Sequence, residues 1–388
     1  MKRNIRFQIL LVVFTCLLSV CLTSLVFVSR LGRLQPLLEA EKLIERHAFF
    51  FEEEQRSELV TGALRGLAFY MDDEYAAYFT REEYAEMLGT QSGNYVGMGI
   101  MVSDEEDGRF VIDEVFSGSP AEEAGLLPAD QILKINDISC AGYELSEFLA
   151  LIDNEEGATN TLVIQRGANE LRFTLVMREV YRPFVHHQML EETVGYIHIS
   201  AFQGQCVAET REALAALEQQ DMRALVLDVR DNLGGQLYIV NEIAELFLPA
   251  DSVITTVRSR AGSEVVYRTG SGGGTDLPIA MLINEYSASG SELLAGALKD
   301  HGVARLFGQT TFGKGIVQSF FPLSGTGGML KFTTDAYYTP NGGFIHNTGI
   351  GPDMEVKLPE EWASAPILQI PHNEDTQLQA AVGYLKML

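Results

Sequence analysis

The strongest constraint on the fold is a strand, a tight turn and a helix that follow one another directly in the chain. Residues 278–284 form a short apolar run suited to a buried strand, and residues 292–298 have helical spacing. The turn between them contains Ser287, Ser289 and Ser291. A hydroxyl at a helix N-terminus meets free backbone N–H groups and the positive end of the helix dipole, which favour a developing oxyanion. The pattern is typical of an enzyme's nucleophile.

A serine nucleophile needs a base, and the nearest downstream candidate is Lys314. A lysine accepts a proton only when neutral, and at a reference pKa of about 10.4 roughly one in a thousand is neutral at pH 7. Lowering that pKa to about 7 or 8 takes roughly 3 to 5 kcal/mol of ammonium destabilisation, which burial can supply. The neighbours of Lys314 are uncharged and mostly small or apolar, so the sequence predicts Lys314 as the base.

A second strand, glycine turn and helix occur earlier in the chain. Residues 224–230 have the pattern of a buried strand, Gly234 and Gly235 form the turn, and a helical pattern follows. In a parallel sheet, both turns emerge at the same sheet edge, where such sheets place their sites. We therefore expect the amides of Gly234 and Gly235 to face the hydroxyl of Ser289 and, with the amide of Gly290, to form an oxyanion hole.

The region after residue 93 changes to short β-like runs separated by glycine turns, at residues 97–102, 110–112 and 132–136. Over residues 93–178 the chain resembles a PDZ domain, with Ala129 where such domains usually have glycine. The resemblance implies a loop whose backbone N–H groups bind the terminal carboxylate of a peptide, and a strand edge that accepts the peptide as an added strand. The predicted peptide-binding residues are Tyr95, Val96, Gly97, Met98, Gly99 and Ile100.

Several segments together resemble the carboxy-terminal processing peptidases, which are tail-specific serine proteases with an embedded PDZ domain. The segments are residues 228–235, 284–292, 308–318, 336–342 and 349–353. In that family the nucleophile is the middle serine of the cluster and the lysine follows 25 residues later, as Ser289 and Lys314 do here. The resemblance therefore selects Ser289 from the three serines. It also implies that Gln318 orients the lysine, which we expect if the two share a strand face.

The resemblance implies a fold class and a division into domains. We expect an α/β fold: a crotonase-like α/β protease core with an inserted, mostly β PDZ domain and an N-terminal helical segment. The predicted divisions are residues 1–34 as a tail and membrane anchor, 35–92 as the helical segment, 93–178 as the PDZ domain, 179–357 as the protease core and 358–388 as a C-terminal segment. The predicted function is that of a serine endopeptidase that captures apolar protein C-termini and cleaves them.

The N-terminal region predicts a membrane anchor. Residues 7–29 are 23 consecutive uncharged residues with basic residues on both sides. About 20 apolar residues suffice to cross a bilayer, and no convincing signal-peptide cleavage site follows. We therefore expect a single-pass anchor in the lipid bilayer of the cell membrane, with the catalytic domain extracytoplasmic, or secreted if the anchor is cleaved.

Composition narrows the partners. The net charge of -25, without a basic run, excludes nucleic acid. No His, Cys and Asp cluster has metal-ligand spacing, so no metal or other cofactor is expected. Cys140 and Cys206, the two cysteines outside residues 7–29, are too few for a disulfide framework and are expected to be buried thiols. A homo-oligomer is left open.

Other interpretations also stay open. The three serines would serve equally well as a helix cap if Lys314 were absent. Residues 308–314 match the first part of a P-loop, but Gly315 replaces the Ser or Thr that binds magnesium, and a strand pattern follows instead of a helix. His198, His301 and His346 are candidate bases of a conventional triad without an assignable carboxylate. A catalytically inactive scaffold that binds protein C-termini through its PDZ domain is the remaining alternative.

Overall fold

The computed structural model describes residues 14–15, 18–19, 32, 34–52, 55–105, 108–191, 193–270 and 273–388. Contacts divide the chain into two units, Met1–Tyr78 and Phe79–Leu388. In the first unit, helices α1 (Gln35–His47) and α2 (Arg56–Phe69) are joined by ion pairs from Arg56 to Glu41 and Glu45, at 3.0 and 3.1 Å. Because Arg56 is more than half exposed, each pair contributes at most about 1 kcal/mol.

The predicted membrane anchor, residues 7–29, falls almost entirely outside the described residues. Among the residues that are described, no helix has both the length and the apolar character needed to cross a bilayer. On this finding the prediction of a single-pass membrane protein with an extracytoplasmic catalytic domain is wrong and is not retained. The prediction relied on a run of uncharged residues, which is a necessary feature of a spanning helix but not a sufficient one.

The segment that resembles a PDZ domain is an antiparallel β-domain with its own hydrophobic core. Its sheet has the strand order β3-β4-β5-β7-β8, with β6 paired to β5. Strand β3 is an edge of this sheet, and strands β2 and β9 pair antiparallel where the chain enters and leaves the domain. The elements from residue 77 to 181 are β1 (Ala77–Phe79), α3 (Arg81–Gln91), β2 (Asn94–Gly97), β3 (Ile100–Asp104), β4 (Phe110–Val115), α4 (Pro120–Ala124), β5 (Gln131–Ile135), β6 (Ile138–Ser139), α5 (Leu145–Leu149), β7 (Thr159–Arg166), β8 (Asn169–Val176) and β9 (Arg178–Tyr181).

The remaining chain is built on a six-stranded sheet of order β10-β11-β12-β15-β16-β19. Strand β10 is antiparallel to its neighbour, and the other five strands are parallel. Strands β12 and β15 are adjacent, so the prediction that both turns emerge at one sheet edge is confirmed. The strands are β10 (Val185–Met189), β11 (Val194–Ile199), β12 (Ala224–Asp228), β15 (Ile279–Ile283), β16 (Ala304–Gly308) and β19 (Met354–Glu355).

Helices cover both faces of this sheet, because residues along each strand alternate between two apolar cores. The larger core lies against α6 (Cys206–Glu218), α7 (Leu237–Phe247) and α8 (Gly290–Asp300). The smaller core lies on the opposite face against α9 (Thr376–Leu385). A parallel sheet buried in this way requires strands that are almost wholly apolar, as β12 and β15 are. Cys140 and Cys206 are buried and free, as predicted.

A second sheet is antiparallel and flanks the core. Strand β13 (Val253–Ser259) pairs with β14 (Glu264–Arg268) and with β18 (Met329–Tyr338), and β18 pairs with β17 (Ile316–Pro322). The loop from β16 to β17 therefore connects the two sheets, and this loop contains Lys314. Two short 3-10 turns, Glu360–Trp362 and Ile367–Gln369, lead to α9.

Candidate active site

The turn between β15 and α8 distinguishes its three serines. The hydroxyl of Ser287 donates to the carbonyl of Val229 at 2.8 Å, and that of Ser291 donates to the carbonyl of Asn232 at 2.7 Å. Both side chains are fully buried, so these two hydroxyls are structural. Ser289 is only half-buried and has φ 53° and ψ -108°, a conformation that non-glycine residues rarely adopt. Such strain marks functional positions, and it is the geometry of a serine raised above a strand-to-helix turn.

The glycine turn after β12 is in direct contact with the serine turn. A Cβ atom added to Gly234 would lie 2.8 Å from the carbonyl oxygen of Ala288 and from the nitrogen of Gly290, and 2.9 Å from the Cβ of Ser289. No side chain fits at that distance, and φ is +103° at Gly234. The structure thus brings together Gly234, Ser289 and Gly290, as the sequence predicts.

Asn232 fastens the two turns to each other, and sequence reasoning missed it. Its buried carbonyl accepts the N–H of Ala288 at 3.0 Å and the hydroxyl of Ser291. Its side chain donates to the carbonyl of Ile199 at 2.8 Å and accepts the N–H of Gly234 at 2.8 Å. In this structure the amide of Gly234 is therefore engaged inward, whereas Gly290 is the first residue of α8, where a backbone N–H has no partner within the helix.

A second bridge joins the turns at their start. The N–H of Asp231 donates to Asn284 Oδ1 at 3.0 Å, and Asn284 Nδ2 donates to Asp231 Oδ1 at 2.7 Å. Burial raises the pKa of Asp231, and the hydrogen bond from Asn284 opposes that rise. These two hydrogen bonds hold the glycine turn and the serine turn in place relative to each other.

Glu292 is the least expected member of the site. Its side chain is fully buried in the first turn of α8, after Ser291 and before two leucines. Oε1 accepts the hydroxyl of Thr311 at 2.6 Å and the N–H of Gly313 at 2.7 Å. Oε2 accepts the N–H of Ser289 at 2.8 Å and the N–H of Lys314 at 2.8 Å.

One carboxylate oxygen therefore lies one hydrogen bond from the backbone of Ser289 and one from the backbone of Lys314. A buried carboxylate is stable only when its oxygens are satisfied, and four donors satisfy this one. The sequence signal that could have found Glu292 is its position three residues after Ser289, the spacing of a capping box.

The loop that carries Lys314 is fixed by contacts to residues 345–349. A Cβ atom added to Gly313 would lie 3.0 Å from the nitrogens of Thr348 and Gly349, and one added to Gly315 would lie 2.6 Å from the nitrogen of His346. The hydroxyl of Tyr337 donates to the carbonyl of Lys314. The lysine side chain itself is half-buried.

Gln318 lies in β17, but the reason given for its pairing with Lys314 does not hold. Strand β17 begins at Ile316, after the lysine, and its register with β18 shifts between Val317 and Gln318. A period of two residues cannot be counted across a strand start and a bulge. The side-chain amide of Gln318 donates to Thr333 Oγ1 at 3.2 Å.

The contacts in the structure support neither a histidine base nor a P-loop. In the described part of the chain, no carboxylate is hydrogen-bonded to His198, His301 or His346. Both ring nitrogens of His198 are buried without a partner, and burial lowers its pKa. His301 Nε2 is 2.8 Å from the carbonyl of Val253. The loop after β16 leads into a strand, so the helix that a P-loop needs does not follow.

The predicted peptide-binding residues, Tyr95 to Ile100, run from β2 into the edge strand β3. The ring of Tyr95 lies over Gly97, where an added Cβ would be 2.2 Å from Tyr95 Cε2. Burial raises the pKa of the Tyr95 phenol. No group of three or more His, Cys, Asp or Glu side chains in the described residues has the arrangement of a metal site.

Comparison with known proteins gives consistent matches. The profile of peptidase family S41 matches residues 193–356, and a PDZ profile matches residues 111–166. The carboxy-terminal processing protease CtpB of Bacillus subtilis (strain 168) is 33% identical over 323 residues, 82% of this chain and 67% of that protein. A probable CtpA-like serine protease of Staphylococcus haemolyticus (strain JCSC1435) is 30% identical over 313 residues, 80% of this chain but only 62% of its own length.

Among solved structures, a protein of Bacteroides fragilis NCTC 9343 assigned to the S41 proteases superposes with a TM-score of 0.59 at 19% identity. The match covers 82% of this chain and 87% of that chain. At that identity the likeness concerns the fold alone, and the fold is one of mixed α/β sheets with a PDZ domain.

Proposed function

The chain belongs to peptidase family S41 and is a serine-type peptidase, and from this premise we propose that Ser289 cleaves proteins whose C-terminal tails the PDZ domain captures. Ser289 is chosen because the three serine hydroxyls differ in their contacts. Ser287 and Ser291 donate to buried carbonyls, whereas Ser289 lies at a strained position against the glycine turn.

Lys314 is proposed as the general base. Glu292 Oε2 accepts backbone N–H groups from both Ser289 and Lys314, which supports the proximity of the two residues. A neutral lysine takes the serine proton during attack and returns it to the leaving amine. Gln318 is proposed to orient the lysine. Because of the bulge before Gln318, its side chain would reach Lys314 by its own length and not by lying on the same strand face.

The oxyanion is proposed to lie between the two turns. The amide of Gly290 at the start of α8 and that of Gly235 are the donors we favour, since the amide of Gly234 is hydrogen-bonded to Asn232. Gly234 contributes by its lack of a side chain, which allows the turns to meet. Donors held in advance of the reaction are the largest single source of acceleration in acyl transfer.

The substrate is proposed to be a protein with an accessible apolar C-terminus. Strand β3 is an open sheet edge next to the loop of residues 95–99, the arrangement that β-augmentation uses. We assign residues 93–178 to the PDZ domain, 179–357 to a crotonase-like protease core, 35–92 to a helical segment and 358–388 to a C-terminal segment. The parallel strands β11, β12, β15 and β16, each of the first three followed by a helix, support the crotonase-like assignment.

The test is degradation of an unfolded protein that ends in apolar residues, measured with the full chain. Ser289→Ala and Lys314→Arg are expected to reduce cleavage at least about 100-fold, because the first removes the nucleophile and the second keeps a charge that cannot accept a proton. Both variants should bind the substrate tail as the parent does. The control is Ser263→Ala in the β13–β14 hairpin, which should cleave normally.

Undiminished cleavage by Ser289→Ala would exclude the proposed nucleophile. Normal tail binding by a parent chain that cleaves no substrate would instead favour the inactive scaffold.

A further inference from the structure

Arg230 is a fully buried arginine at the carboxyl end of β12, two residues after Asp228 and four before Gly234. It is the largest fully buried side chain in the described part of the protein. The proposed chemistry does not use it. It nevertheless lies at the start of the glycine turn, where its contacts need an explanation.

All five N–H donors of the guanidinium have acceptors. Nε donates to Asp228 at 3.0 Å, and Nη2 donates to Asp228 Oδ2 at 2.6 Å and to Asp375 Oδ2 at 2.8 Å. Nη1 donates to Asp375 Oδ1 at 3.1 Å and to Gln377 Oε1 at 2.9 Å. A planar fork satisfied on every arm fixes orientation as well as distance.

The single positive charge of Arg230 faces two carboxylates, Asp228 and Asp375. Burial alone would raise the pKa of Asp228, but the adjacent Arg230 outweighs burial and lowers it. The hydroxyl of Tyr196 also donates to Asp228 Oδ2, at 2.8 Å. A buried ion pair of this kind adds little net stability, because desolvation offsets the attraction between the charges. Orientation is therefore a better explanation of the cluster than stability.

The cluster continues directly into the glycine turn. The backbone N–H of Arg230 donates to Asp228 Oδ1 at 2.9 Å, and the next residue, Asp231, is clamped to Asn284 of the serine turn. The side chain of Asn232, one residue further, accepts the N–H of Gly234. A displacement of Arg230 would thus be passed through three consecutive anchored residues to the turn that contacts Ser289.

The other end of the cluster is helix α9, which lies beyond residues 193–356 matched by the S41 profile. Asp375 caps this helix by accepting the N–H of Leu378 at 2.9 Å. The Gln377 side chain also donates to the carbonyl of Val356 at 2.8 Å. Residues Leu378, Ala381, Val382 and Leu385 then pack the helix onto the sheet.

We propose that Arg230 and Asp375 are positioning residues, through which helix α9 sets the glycine turn at the oxyanion site opposite Ser289. The inference rests on the proposed function, since it presumes that the Gly234–Gly235 turn lines the reacting carbonyl. The influence of helix α9 on the reaction then passes through Asp375, at its N-terminal end, to Arg230 and the glycine turn.

The test is Asp375→Asn in the full chain. Asparagine caps a helix as well as aspartate does, so α9 should stay folded. The NH2 group of the asparagine would face an N–H group of Arg230, so one hydrogen bond of the guanidinium would be lost. We expect kcat on an unfolded protein with an apolar C-terminus to fall about 10- to 100-fold, as small displacements at active sites do, while KM and tail affinity change less than about two-fold.

A second readout separates positioning from general destabilisation. A peptide boronic acid forms a tetrahedral adduct with a serine hydroxyl and places an oxygen in the oxyanion site, so its affinity should fall in parallel with kcat. The matched control is Leu385→Ala, at the opposite end of α9, which should lower the melting temperature without changing kcat or boronate affinity below the melting transition.

Two results would overturn the proposal: an unchanged kcat in Asp375→Asn, or equal losses of kcat in Asp375→Asn and Leu385→Ala. The Ser289→Ala variant distinguishes this failure from failure of the proposed function. If Ser289→Ala is inactive and Asp375→Asn is fully active, only the positioning role is lost.

Discussion

The buried carboxylate of Glu292 is the residue on which the local geometry of the site depends most. It accepts four hydrogen bonds from two separate chain segments, residues 289 and 311–314. In the sequence, the serine turn and Lys314 stand out by residue type, and the resemblance to the processing peptidases selects Ser289 through the 25-residue spacing. Glu292 does not stand out, because a glutamate in the first turn of a helix is commonplace on a solvent-exposed surface. Glu292 connects the two segments only because the first turn of α8 is buried.

We predict that Glu292→Gln reduces activity about 100-fold and the free energy of unfolding by about 2–3 kcal/mol. The amide nitrogen of glutamine would replace one acceptor oxygen and face N–H or hydroxyl donors, leaving buried donors unsatisfied. Peptidase assays and denaturant titration measure the two effects. The control is Glu285→Gln, an exposed glutamate of the same turn, which should behave as the parent. Equal behaviour of the two variants would contradict the bridging role.

At the level of elements, the glycine turn after β12 and the serine turn after β15 form one unit. Strand types, their parallel pairing and the common edge were predictable, because buried apolar runs and small-residue turns have local signatures. The bulge in β17 was not predictable, since it depends on how β18 pairs with it. Because of that bulge, counting residues along the strand cannot place Gln318 on the same face as Lys314.

We predict that Gly234→Ala lowers kcat/KM at least about 100-fold, because its Cβ would displace the backbone at Ala288, Ser289 and Gly290. The matched control is Gly262→Ala in the β13–β14 hairpin. Gly262 also has a positive φ, of +83°, but an added Cβ there meets no atom within 4 Å. The control should lose about 1 kcal/mol of stability and no activity. If both variants were equally active, the contact between the turns would not matter for catalysis.

For the whole second unit, His186 lies where the six-stranded sheet meets the PDZ domain. It lies in β10, with Nδ1 3.8 Å from Glu114 Oε1 of β4, and its ring is 6.2 Å from that of His198. Burial, with smaller contributions from His198, Arg182 and His187, lowers the pKa of His186 to about 4. The unfolded chain therefore takes up a proton near pH 6.5, where the folded chain does not.

Stability from this residue is complete above about pH 6.5 and is lost as pH falls toward 4, because the unfolded state then binds more protons. We predict that the loss of stability between pH 7.5 and pH 5 is about 2 kcal/mol smaller in His186→Gln than in the parent. Denaturant unfolding at both pH values measures it. The control is His187→Gln, an exposed neighbour that should retain the loss. A parent and a His186→Gln variant with the same pH dependence would refute the assignment.

The limits of sequence reasoning at this scale also have physical causes. The presence of a PDZ domain and a peptidase domain could be predicted, because the motifs of each lie within one stretch of the sequence. The membrane anchor was inferred from hydropathy alone, and no described helix supports it. The link from Arg230 to Asp375 joins residues 145 positions apart, so no local pattern announces it.

That separation has a consequence for synthesis. Contacts so distant in sequence form late, after the loop between them has closed. During translation, strand β12 and the serine turn leave the ribosome long before residues 375–377 are added. We expect the nascent chain to have reduced activity until then, because three acceptor oxygens of the arginine fork come from Asp375 and Gln377.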